Sequence, residues 1–210
     1  MALEIVPFQL GPMQNNTYLV ADTETGQAVV VDPSFDSEVV LAEAQRRNWE
    51  IKGIWLTHAH FDHIAGLKQL AESRQPPLTV GLHPNDLPLL QQGGGSRNFG
   101  IKIDPGPKPT LYFDHDQVLN IGRQMIEVRF TPGHTPGHVI FYSSEAGLAL
   151  VGDLIFYHGV GRTDLPGGDP EALVQSIHTQ VLTLPPQTRL LSGHGPETTV
   201  EEEKENNPFL

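Results

Sequence analysis

The hydrophobic positions of this chain change period several times. Short apolar runs open it at LEIVPF (3–8), NTYLVAD (16–22) and QAVVVDP (27–33), separated by turn residues such as Gly11-Pro12 and Thr25-Gly26, and these read as strands. From Ser37 to Arg47 the spacing becomes helical, with Val40, Leu41 and Ala44 on the inward face. GIWLTH (53–58) reads as a buried strand, Ile64 to Ser73 as a helix with Ile64, Leu67 and Ala71 on one face, and LTVGLHP (78–84) as a further strand. The second half repeats this order. Strands are predicted at MIEVRF (125–130), HVIFYS (138–143), LALVGD (148–153) and TRLLSG (188–193), with a helix opened by Asp169-Pro170-Glu171. Thr199 to Glu202 has the spacing of a capping box and predicts a last short helix, although the final dozen residues otherwise read as disordered. Strands mixed with helices on this scale predict a layered α/β architecture.

A faint internal echo runs through the pattern. VVVDPS (29–34) resembles LVGDLI (150–155), and the strand entering Thr57-His58 resembles the strand entering Gly193-His194. Two halves would then each deliver polar residues from strand ends to one rim. Between them, residues 91–109 are too rich in Gly and Pro for a regular element and are expected to form a surface loop, the alternative being a cover over a pocket.

Composition narrows the function. The 210 residues, 38% of them hydrophobic, can bury a substantial core, and residues 1–210 are read as a single domain. A net charge of -12 argues against nucleic acid and against an anionic membrane surface, leaving a small-molecule substrate as the expected partner. The first twenty residues lack a secretory pattern and no later run reaches membrane-spanning length, so a soluble cytoplasmic protein is expected. Without cysteine, any metal must be held by imidazole and carboxylate.

The segment THAHFDH supplies such ligands. His58 and His60 are two apart just past a strand end, a spacing that turns both imidazoles to one side, and Asp62 and His63 open the following helix. Asp62 reads equally as a ligand and as a helix cap. Four ligands from one short segment suit two metals better than one tetrahedral site, and His134, Asp153 and His194, each after a strand, complete a set of five His and two Asp. That set gives three ligands per metal with one carboxylate shared, and leaves coordination open for water. His138 is expected to brace its loop, and Asp32 either to orient a ligand histidine or to form a turn before Pro33. Phe156 and Tyr157 are read as core, or else as pocket lining.

THAHFDH, TPGHTPGH, GD and GHG, in this order and with these gaps, resemble the metallo-β-lactamase fold superfamily. VGDLIFYHGVGRTDLPGGD and GHGPETTVEEEKENNPFL resemble, more narrowly, its short single-domain glyoxalase II-like hydrolases. The resemblance implies a four-layer αββα sandwich with two divalent metals at one edge: His58, His60 and His134 on the first, Asp62, His63 and His194 on the second, and Asp153 bridging. Zinc is the expected metal, and the donor set also suits iron or manganese. Such a site hydrolyses acyl esters, thioesters before oxygen esters because a thiolate leaves more readily, with Asp62 as the catalytic proton acceptor. The resemblance supplies S-(2-hydroxyacyl)glutathione, such as S-lactoylglutathione, as substrate.

The chain departs from full-length glyoxalase II in lacking the further helical domain that adds basic residues to the glutathione pocket. Arg162 retains a basic position that could bind a substrate carboxylate, but Asp164 stands where a tyrosine is expected and offers Arg162 an internal partner. Two other readings remain. One is a mononuclear iron persulfide dioxygenase of the same fold, which shares the GRTD segment. The other is a non-catalytic binding protein on a degenerate version, which predicts lost ligands; none is lost. Cleavage of β-lactams is disfavoured here because one common form of the second metal site uses Cys.

Overall fold

The computed structural model describes residues 2–210. One six-stranded sheet contains β1 (Leu3–Leu10), β2 (Asn15–Asp22), β3 (Gln27–Val31), β4 (Glu50–Trp55), β5 (Thr79–Leu82) and β6 (Leu111–Tyr112), in that spatial order. The other contains β7 (Val118–Ile121), β8 (Gln124–Phe130), β9 (Val139–Ser143) and β10 (Leu148–Gly152). It is completed, after a two-stranded ribbon of β11 (Ile155–Phe156) and β12 (Gly159–Val160), by β13 (Arg189–Ser192) and β14 (Thr198–Thr199).

The central strands are apolar without alternation because both of their faces are covered. Val29 and Val31 of β3 meet Leu148 and Leu150 of β10 in the core between the sheets, where Trp55, Phe113 and Phe141 also pack. The intervening Ala28 and Val30 face outward into a layer formed by α1 (Glu38–Arg46), α3 (Leu67–Ala71) and α4 (Leu87–Gln91). Ala149 and Val151 face outward against α5 (Pro170–Ser176) and α6 (Val200–Asn206). Helix, sheet, sheet, helix is thus the layer order, as the resemblance implies.

The internal echo has a topological basis. β3 lies parallel to β4, and β10 lies parallel to β13. Parallel neighbours end at the same rim, so Asp32 and Thr57-His58 emerge beside each other in one sheet, and Asp153 and His194 in the other.

Three expectations need correction. The predicted helix from Ile64 to Ser73 is two helices, α2 (Phe61–Ile64) and α3, because the Gly66 amide donates to the Pro33 carbonyl at 3.0 Å instead of staying in a helical ladder. The 91–109 segment is mostly exposed or half-buried, as a surface loop would be, but contains a 3-10 turn at Ser96–Phe99 and is held against the ligand loop at buried Gly94. Residues 199–210 are ordered: Thr199 caps α6 through the Glu202 amide, and Glu203 is fully buried. The Glu203 carboxylate accepts from the Thr198 hydroxyl, the His158 amide and the Asn207 side chain, three partners that repay its desolvation.

Candidate metal centre

Every predicted ligand reaches one rim between the two sheets. The donor atoms of His58, His60 and His134 lie within 4.8 Å of one another, and so do those of Asp62, His63 and His194. Asp153 stands between these groups: Oδ1 is 3.3 Å from His63 Nε2, and Oδ2 is 3.6 Å from both His134 Nε2 and His194 Nε2. Asp62 does not cap its helix. Its Oδ2 faces His194 Nε2 at 3.1 Å.

The far side of four of the five rings, all but His60, has a partner that sets the tautomer. His63 Nδ1 lies 3.0 Å from Asp32 Oδ2, His134 Nδ1 lies 2.7 Å from the Arg162 carbonyl, and His194 Nδ1 lies 3.1 Å from the Met13 carbonyl. Each of these acceptors requires a proton on Nδ1 and leaves Nε2 as a lone pair. For His58 the link is longer, because the Thr57 hydroxyl donates to Asp32 at 2.6 Å and can therefore only accept from His58 Nδ1 at 3.0 Å. Asp32 sits at a φ of +51°, a conformation Asp tolerates better than most residues, and also accepts the Thr57 amide at 2.7 Å. It therefore orients two ligand rings, the first of the two roles that the sequence left open, and its carboxylate bonds to Thr57 and His63 rather than within the turn before Pro33.

The donor set fits a divalent cation. His58 Nε2, His63 Nε2 and Asp153 Oδ1 are buried without a hydrogen-bond partner, and His60 Nδ1 faces His134 Nε2 at 2.8 Å. Burial pushes the pKa of His58 and His134 down and that of His60 to about 3, so these rings are neutral, as ligation requires. His63 moves the other way. Burial opposes its charge, but Asp153 and Asp62 raise its pKa well above the ordinary histidine value. A proton on His63 answers the same negative charge that a cation would. Asp153 is pushed up by burial, yet the neighbouring histidines hold its carboxyl far below the usual carboxylate range.

Several supporting residues carried no recognisable signal in sequence. The fully buried carboxylate of Asp86 accepts from the Ala59 amide, the Thr135 hydroxyl and the Gly137 amide at 2.6–2.9 Å, fastening the two ligand loops to each other. Asn16 and Tyr18 of β2 donate to the Ser192 carbonyl across the sheets and hold the His194 loop. A side chain at Gly193 would put Cβ 2.2 Å from Asp153 Oδ1, so only glycine allows this approach. His138 braces its loop as expected, through the Thr131 hydroxyl at 2.8 Å, and belongs to neither ligand group. His158, which had no visible partner in sequence, meets Glu202 at 2.7 Å.

The centre forms the floor of a cavity of about 410 Å³. Its walls are mainly apolar, with Phe61, Leu89 and Phe99 from the first half of the chain and Phe156, Val160 and Leu165 from the second. Tyr157 is half exposed and does not line it. Gly94, whose carbonyl accepts the Phe61 amide at 3.0 Å, ties the first wall to the ligand loop, and a Cβ there would meet Phe61 N at 2.4 Å. Arg162 also lines the cavity, but its guanidinium makes a bidentate pair with Asp164 at 2.7 and 2.8 Å.

Residues 10–194, which include every one of these ligands, match the metallo-beta-lactamase superfamily. The chain belongs to that superfamily. It is 41% identical to a probable metallo-hydrolase, YqgX of Bacillus subtilis, over 96% of this chain and 94% of the relative. It is 33% identical to the hydroxyacylglutathione hydrolase GloC of Haemophilus influenzae over 100% and 98%. Among crystal structures, the B3 metallo-beta-lactamase BLEG-1 superposes with a TM-score of 0.92 at 36% identity over 99% of each chain. TTHA1623, solved in a di-iron-bound form, does so at 0.87 and 41% identity over 98% of this chain and 100% of its own. Membership makes this chain a metallo-hydrolase with a divalent-metal site of His and Asp. Among its described residues no helix is long and apolar enough to cross a membrane.

Proposed function

We propose that residues 1–210 form one dinuclear metal-dependent hydrolase unit that cleaves acyl thioesters. His58, His60 and His134 would hold one divalent ion, Asp62, His63 and His194 the other, and Asp153 both. The observation that carries this is the position of Asp153, whose Oδ1 faces His63 and whose Oδ2 lies between His134 of one ligand group and His194 of the other. Zinc suits the set, and the di-iron form of a relative 41% identical supports iron equally.

Two bound divalent ions supply Lewis acidity toward the scissile carbonyl and a water acidic enough to ionise near neutral pH. The protein's own groups do the rest. Asp32 and the carbonyls of Arg162 and Met13 accept from Nδ1 of His63, His134 and His194, so that Nε2 is the atom each ring would turn to a metal. Asp62, which burial pushes up but His63 and His194 keep below the ordinary carboxylate range, can take the proton of the attacking water on the oxygen not engaged with His194. The apolar walls exclude other water, and a thiolate departs without needing that proton at once.

The likeness to GloC supports S-(2-hydroxyacyl)glutathione as the substrate, S-lactoylglutathione giving lactate and glutathione. Arg162 is the basic residue available to a glutathione carboxylate, which would have to displace Asp164. A second reading, β-lactam hydrolysis, is favoured by the likeness to BLEG-1; the lack of cysteine does not weigh against it, since Asp62, His63 and His194 complete the second group without one.

Elemental analysis of the purified protein, then a panel of thioesters and β-lactams, tests the proposal. Two metals per chain with thioester cleavage are expected. A single iron with oxygen consumed on addition of glutathione persulfide would replace it with the dioxygenase reading.

A further inference from the structure

The cavity of about 410 Å³ has to take the thiol moiety as well as the acyl group, so the chemistry of its walls, not its volume, distinguishes one acyl group from another. Its polar floor consists of the ligand residues themselves. Above that floor the two walls differ in chemistry. The wall from the second half carries Arg162, the sole Lys or Arg among the described residues that lines the cavity, and is therefore the side suited to an anionic thiol moiety. The wall from the first half has no charged side chain above the floor. It presents Phe99, 45% exposed and tilted 38° against buried Phe61 with ring centroids 5.1 Å apart, together with Leu89 and the neutral amides of Gln92 and Asn98.

Phe61, Leu89 and Phe99 share one concave wall, the kind of surface a ligand pocket offers to an apolar group. Gly94, pressed onto the Phe61 backbone, anchors this wall to the ligand loop, and the Ser96–Phe99 turn is bounded by Gly95 at +74° and Gly100 at +70°. A ring laid against Phe99 would gain offset or edge contacts that a methyl group cannot.

We propose that the Phe61–Phe99 wall is an acyl pocket and that this enzyme prefers thioesters with an aromatic or comparably bulky apolar acyl group over the lactoyl thioester. The inference rests on the hydrolase reading for its catalytic consequence, and on the cavity alone for binding. Both can be measured while the thiol is held constant.

The metal-loaded protein is assayed with S-mandeloylglutathione and S-lactoylglutathione, which differ in phenyl against methyl. The expected kcat/KM ratio is at least about tenfold in favour of mandeloyl, the discrimination an apolar pocket can supply. Phe99→Ala brings the ratio toward one, while Phe99→Leu, which keeps apolar bulk, retains much of it and controls for folding. A ratio at or below one in the wild-type protein overturns the acyl pocket and leaves the hydrolase reading standing. If neither thioester is cleaved, the hydrolase reading fails, and saturation-transfer NMR with mandelate decides the pocket separately. Saturation reaching the phenyl protons in wild type but not in Phe99→Ala upholds it, and none in wild type overturns it.

Discussion

Asp32 Oδ2 lies 3.0 Å from His63 Nδ1, and the same carboxylate holds the Thr57 hydroxyl that in turn faces His58. One residue outside the ligand set therefore orients a ring in each metal group. Asp32→Asn keeps the left-handed backbone but removes an acceptor charge, and should lower metal affinity about 10–100-fold. Equilibrium dialysis across a range of metal concentrations checks this. Full stoichiometry is expected at high metal, and unchanged affinity would remove the orienting role.

Asp153→Ala should lose metal from both positions, because its oxygens face both groups. His138→Ala should keep two metals per chain despite burying a small cavity, since it belongs to neither group. Elemental analysis of both variants decides. Normal stoichiometry in Asp153→Ala would refute the bridge.

Metal uptake should strengthen as pH rises. The raised pKa of His63 favours its protonated form at neutral pH, so an ion must displace that proton; below the raised pKa, affinity falls by up to about tenfold per unit of acidification. Competition with a chelator of known proton linkage at two pH values near neutrality measures the slope. A flat response would mean that no proton leaves His63.

Arg162→Ala should raise KM for S-lactoylglutathione about three- to tenfold at unchanged kcat, the worth of one charge-assisted contact reduced by the loss of the Asp164 pair. Asp164→Ala frees the guanidinium and should lower KM. A small thioester without a carboxylate should show neither effect. Equal KM in all three proteins would leave the pair as a loop brace.

Glu203→Ala strips an acceptor from the Thr198 hydroxyl, the His158 amide and the Asn207 amide in a fully buried position, and should cost about 2–4 kcal/mol. Denaturant unfolding at fixed metal concentration reads this. A change within about 0.5 kcal/mol would show that residues 200–210 contribute little to the fold.

The central strands and most helices were legible because burial on one or both faces writes a period into the chain, whereas β6, β7, β11, β12 and β14, at most four residues each, were not predicted. The ligands were legible because THAHFDH and the three strand-end motifs concentrate residue types that seldom cluster without a cation. What escaped depended on distant partners. Asp86 sits in a His-Pro-Asn-Asp stretch that reads as an ordinary turn, and its partners Thr135 and Gly137 come 49 and 51 positions later. The break at Gly66 depends on the Pro33 carbonyl, and the order of the α6 region on a carboxylate whose burial no local pattern announces. The Gly-rich segment misled for a related reason, because glycine marks a close approach as readily as a mobile loop.

The ligands are divided between the sheets: His58, His60, Asp62 and His63 follow strands of one, while His134, Asp153 and His194 follow strands of the other. Each of the two proposed groups takes two ligands from the first sheet and its third from the second. Cations held in this way act as a clasp across the seam of the sandwich, so chelation would slacken the whole rim together. Amide exchange at the ends of β4 and β10 would then accelerate in step, making metal occupancy readable from backbone protection with no substrate present.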